Sequence, residues 1–308
     1  TTGTENTIIG GLAGDALTTG VRNTAVGYAA LSTEDAHGAN TAIGYAALSA
    51  QNAGADAFNT AVGYQAGIAV STGTLNTIVG GLAGDALTTG SSNTVIGQEA
   101  LTTETTGTLN VAIGREALRY SALSNKSIGI GYAALQAQAN SSLTDTYNVA
   151  IGHIAGSSIT TGVQNTIMGG LAGDALTTGN ENVAVGYAAL SSEDAHGQNV
   201  AVGHNALASL NAGANALNTA VGYFAGLNMT TGVANTLVGG LAGDALTTGV
   251  SNVFVGNDAG GSLTTGESNV AVGKDALLAS VDGDHNTAIG FKALEDYEDG
   301  NGNGHNTA

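Results

Sequence analysis

Three patterns in this chain carry residue types that could do chemistry. The first is GGLAGDALTTG, which begins at Gly10 and returns letter for letter at Gly80, Gly169 and Gly239. A glycine-rich loop can cradle a phosphate with its amides, but that chemistry wants a Lys-Ser/Thr pair and a helix behind the loop. Neither follows here. GIGYAAL at Gly129 is a weaker match still, without the strand–helix setting of a dinucleotide site.

The second pattern is one aspartate in each copy of that stretch, at Asp15, Asp85, Asp174 and Asp244. Calcium needs about six oxygens in one place. If each repeat is one rung of a stack, these carboxylates lie roughly 20 Å apart. No two can then share an ion within one chain, although three chains around an axis could gather three equivalents. The third pattern is Glu34–Asp35 with His37, repeated as Glu193–Asp194 with His196. These are ligand types for a weak metal or glycan contact, on what reads first as a solvated acidic loop. No Ser/His/Asp or paired-carboxylate arrangement is discernible. The expectation is a protein that is not an enzyme, with no cofactor and no catalytic or metal residues assigned.

What must position these residues is a repeat. Aligned on N-T-A-V-G, seventeen copies run from Asn6 to Asn286 and another begins at Asn306. Of the seventeen spacings, thirteen are 17 residues, so the unit is structural rather than incidental. Glycine at position five and alanine at position eight occur in every copy. A larger period lies on top, because residues from Thr160 repeat those from Thr1 at an offset of 159. The expected organisation is one continuous array over 1–308, built of two tandem blocks, 1–159 and 160–308, and forming a segment of a longer chain.

Seventeen residues suit a short strand, a turn, a second short segment and a second turn. One such coil buries three or four small apolar side chains, worth about 1.5–3 kcal/mol each, against an ordering cost of about 1.5 kcal/mol per residue. It cannot stand alone; stacking must supply the rest. The fold class is therefore all-β, a parallel β-solenoid of about seventeen 17-residue coils, spanning roughly 80 Å at about 4.8 Å per rung. Position four is aliphatic throughout, with Met168 the largest change, which assigns Ile9, Val26, Ile43, Val62, Val79, Ile96 and Ile113 to the core. Position two, Thr or Val, shares that side of the strand. Glycine at position five is expected to take a φ that other residues resist, and asparagine at position one to stack as an amide ladder. Positions three and six trade size: Ala25 with Tyr28, Ile8 with Gly11, Ile78 with Gly81. Read as compensation within one volume, this predicts an interchain face made of Ile8, Ala25, Tyr28, Tyr64, Ile78, Tyr187, Tyr223, Leu237 and Phe254.

Composition narrows the function. The chain has 49 glycines, no proline, cysteine or tryptophan, and a net charge of −18 with only six Lys and Arg. Such a surface repels phosphate backbones and anionic membranes, so neither nucleic acid nor membrane insertion is expected. Variable insertions on the strict scaffold, such as QAQANSSLTDTY after Leu135 and the acidic stretch with Glu295, Asp296, Glu298 and Asp299, are where recognition of a glycan or receptor would be placed.

The run N-T-A-V-G-Y-x-A, present along nearly the whole chain, resembles the head repeats of trimeric autotransporter adhesins and the NTAVGYQAL-type arrays of phage tail fibres. The resemblance implies a left-handed parallel β-roll, three chains packed side by side, and an extracellular, cell-surface or virion fibre with a structural or adhesive role. The coil here is 17 residues, against the adhesins' usual 14. Other readings of the same pattern are an ice-binding solenoid, a glycan-binding or glycan-cleaving one, and a single-chain solenoid polymerising end to end. Thr at position two in only ten of seventeen coils speaks for packing over an ice plane.

Overall fold

The computed structural model describes residues 2–297 and 304–308, so Glu298 and Asp299 lie outside the described residues. It divides into two compact units, Thr1–Ile154 and Ala155–Ala308. The first holds β1 (Thr7–Ile9), β2 (Thr24–Val26), β3 (Thr41–Ile43), β4 (Thr60–Val62), β5 (Thr77–Val79), β6 (Thr94–Ile96), β7 (Val111–Ile113), β8 (Ala122–Asn125), β9 (Ile128–Ile130), β10 (Ala139–Asp145) and β11 (Val149–Ile151). The second holds β12 (Thr166–Met168), β13 (Val183–Val185), β14 (Val200–Val202), β15 (Thr219–Val221), β16 (Thr236–Val238), β17 (Val253–Val255), β18 (Val270–Val272) and β19 (Thr287–Ile289).

Each repeat is one rung. Within each unit, the repeat's strand pairs in parallel with the same strand of the next coil, position two on two and four on four: Thr24 on Thr41 and Val26 on Ile43, for example. The fold is a parallel β-solenoid. The long coil after Leu135 is not a loop throughout, because β10 pairs with β8 in a second, two-stranded parallel sheet.

The glycine at position five behaves as expected. Its φ is +135° at Gly27 and +138° at Gly80, and a Cβ on Gly80 would lie 2.5 Å from the carbonyl oxygen of Gly97 on the next rung. Both torsion and contact exclude a side chain. Asparagine at position one is buried and acts as an internal clamp. Asn59 Nδ2 donates to Gly73 O across its own coil at 2.7 Å, and the Asn76 amide donates to Asn59 Oδ1 at 2.8 Å. The rung is thereby hydrogen-bonded both within its plane and to its neighbour, which satisfies backbone groups that the coil buries.

The direction of the strand faces corrects the sequence reading. Position three points inward: Ala25, Ala42, Ile78, Leu237 and Phe254 are fully buried. Position four points outward, with Ile9 59 % and Ile43 38 % exposed. Val26, Val62, Val79 and Ile113 are half-buried and Ile96 is exposed, so none of the seven residues assigned to the core forms it. Positions two and four do share a side, but it is the outer one.

The core is position three together with Ala at position eight and a large apolar side chain at position nine or position twelve, with both in the coil of Leu207 and Leu210. Leu31 and Leu48 fill it from position nine, Leu87 and Leu176 from position twelve. The interior is too narrow for both a large position three and a position-nine leucine. Where position three is large, position nine is glycine: a Cβ on Gly260 would lie 2.5 Å from the Phe254 ring, and one on Gly14 3.0 Å from Ile8 Cδ1. The volume trade thus runs inside one coil, and position twelve takes part in it: Gly67, Gly156 and Gly226 accompany a small Ala61, Ala150 and Ala220 but a buried Val70, Ile159 and Met229 at position twelve. Positions three and six lie on opposite sides of the wall and do not touch.

Candidate functional site

The outward columns are the candidate site. In the first unit, position two presents Thr7, Thr24, Thr41, Thr60, Thr77 and Thr94 on six consecutive rungs, then Val111, Ile128 and Val149. Position four presents an aliphatic side chain on every rung except that of Met168. No charged residue occupies either column in any coil, although the chain carries −18 overall. The columns exist because a strand alternates its side chains, and the inward slot is taken by position three.

A third column follows across the position-five glycine. Tyr28 and Tyr45 stack with ring centroids 5.6 Å apart, and Tyr45 and Tyr64 at 5.3 Å. In the second unit Tyr187 stacks on His204 at 5.3 Å, and His204 lies 5.5 Å from Tyr223. The rings are half in solvent, Tyr28 at 52 %. Histidine substitutes for tyrosine because either ring continues the stack.

Of the predicted interchain residues, Tyr28, Tyr64, Tyr187 and Tyr223 are therefore on the surface. Ala25, Ile78, Leu237 and Phe254 are not, since they are sealed inside their own coil. Ile8 is 40 % exposed only because β1 has no rung on its other side among the described residues. From position two to position six spans about 13 Å, and nine rungs about 43 Å, so the first unit alone offers a face of roughly 500 Å². Arg115, at position six of the seventh coil, is the one Lys or Arg within it, and a face of that size matches the largest apolar patch of a typical monomer, about 300–600 Å², which is often functional.

The other sequence candidates separate clearly. The glycines of GGLAGD are wall and core positions, not a ligand loop. Asp85, Asp174 and Asp244 are half-buried, and burial raises each carboxyl above its ordinary value. Glu34 and Glu193 are fully buried, contrary to a solvated loop. Burial likewise raises the Glu34 carboxyl, although the His37 amide it accepts works the other way. No helix among the described residues is long and apolar enough to cross a membrane.

A scan against protein-family models finds no match, and a search of curated proteins finds no relative. The class that the fold defines is that of parallel β-solenoids, and the outward columns are its distinguishing surface.

Proposed function

We propose that this chain is a segment of an extracellular structural or adhesive fibre, on a cell surface or a virion, and that it associates with copies of itself through the columns at positions two, four and six. One observation carries this reading. Position four is aliphatic in every coil except that of Met168, itself apolar, yet faces outward, so its own core does not require it. A neighbouring chain would. Side-by-side packing of three chains, which the adhesin resemblance implies, would cover one such face per chain and leave the acidic turns in solvent.

The test is sedimentation of the whole chain at micromolar concentration, as wild type and with Val62→Asp and Val79→Asp together. Trimeric wild type and monomeric, still folded variant support the reading; a monomeric wild type refutes it. A second reading has its own observation. Six successive threonines beside an aliphatic column form a regular solvent-facing array, the kind of surface that could order ice. Thermal hysteresis from the wild type, abolished by Thr41→Leu and Thr60→Leu, would decide for ice binding over assembly.

A further inference from the structure

The first of the two Glu-Asp-Ala-His turns contains a feature that capping alone does not explain; in the second, Glu193 Oε2 accepts only a long bond from the Ala212 amide, at 3.5 Å. Position twelve carries a buried glutamate in three coils, and Glu104 shows how such a residue is ordinarily satisfied. Its Oε1 accepts the amides of Thr105, Thr106 and Gly107 at 3.1, 3.2 and 2.8 Å, and its Oε2 that of Ser124 at 2.9 Å. Both oxygens are used. Glu34, equally buried, accepts one amide, from His37 at 3.0 Å, and its Oε2 has no hydrogen-bond partner. Leaving a carboxylate oxygen dry and unpaired is costly, and proteins resolve it with a proton, a cation or a metal.

The turn supplies what a metal would need. His37 Nδ1 is buried, has no hydrogen-bond partner, and lies 3.6 Å from Glu34 Oε1; His196 Nδ1 is in the same state 3.4 Å from Glu193 Oε1. Two ligands at about 2.1 Å in a tetrahedral zinc shell lie about 3.4 Å apart. The separation is thus too long for a good hydrogen bond and right for two ligands of one ion. Asp35, or Asp194, adds a third ligand atom, all three lying within 4.8 Å of one another. Its side chain is solvent-exposed, so rotation can close the remaining ångström or so. The turn itself is held: Asn23 Nδ2 donates to His37 O at 3.0 Å, and Thr18 Oγ1 to Asp35 O at 3.0 Å.

We infer that Glu34, Asp35 and His37, and independently Glu193, Asp194 and His196, each bind one divalent transition-metal ion of the zinc type. An imidazole with two carboxylates selects zinc, nickel or manganese over calcium, which prefers oxygens alone. Water completes each shell. The inference does not rest on self-association.

The experiment is isothermal titration of the untagged full chain with zinc chloride, after chelator treatment. Two equivalents are expected for the wild type, one for His37→Ala or His196→Ala, and none for the double variant; circular dichroism checks that each remains folded. Cobalt in place of zinc should give a tetrahedral visible band that the double variant loses. A wild-type stoichiometry no greater than that of the double variant would overturn the assignment, as would displacement of zinc by equimolar calcium.

Discussion

The two adjacent glycines at 80 and 81 offer a sharp test of the stacked-rung account. Gly80 has φ +138°, and its absent Cβ would sit 2.5 Å from Gly97 O and 2.7 Å from Gly97 C. Gly81, one residue on, has nothing within 4 Å and no left-handed φ. Gly80→Ala therefore incurs about 1–3 kcal/mol of torsional strain and a further 1–3 kcal/mol of overpacking against backbone. The ladder cannot yield locally, because Gly97 is itself held by Gly114. The expected cost is about 2–6 kcal/mol, whereas Gly81→Ala should fall within about 0.5 kcal/mol of wild type. Because repeat arrays unfold by parts, the assay is hydrogen exchange at the amides of the flanking rungs, alongside urea unfolding. Equal effects at the two glycines would refute the claim that neighbouring backbones close on one and not the other.

Three further outcomes follow from the same geometry. Ala42→Leu, inside the coil, should cost about 1–3 kcal/mol by overpacking, while Ile43→Ala, on the outer face, should leave urea stability of the isolated chain within about 1 kcal/mol yet weaken assembly in sedimentation. In chelator, stability should fall as pH rises above about 4 to 5. Glu34, Asp85, Asp174 and Asp244 all have folded-state values raised by burial, so the folded state holds their protons more tightly, and that advantage is complete below the unfolded values and lost as pH climbs through the folded ones. Glu34→Gln, which copies the natural Gln51 of the next coil, should flatten part of that dependence in urea midpoints measured from pH 4 to 8; a stability that rises across this range would contradict the burial of these groups. Ser268 is exposed with φ +57°, so Ser268→Gly should stabilise by up to about 1 kcal/mol, and a loss in urea midpoint would show the left-handed corner to be unstrained.

Periodicity by itself determined the larger part of this protein. Seventeen-residue spacing, glycine at position five and asparagine at position one specify a stack of coils, because only a repeat of closely approaching backbones needs them at that interval. What the string of residues could not decide was which side of a three-residue strand faces in. Ala25 and Val26 alternate by the same rule in either orientation, and an apolar column looks the same whether a chain packs on itself or on a neighbour. Only the closed coil decides, since its interior takes position three together with the alanine at position eight and the side chains at positions nine and twelve, and leaves position four outside. The orphaned Glu34 and the histidine beside it were hidden for the same reason: the three residues were visible as a turn, but burial and the missing partner are properties of the folded rung.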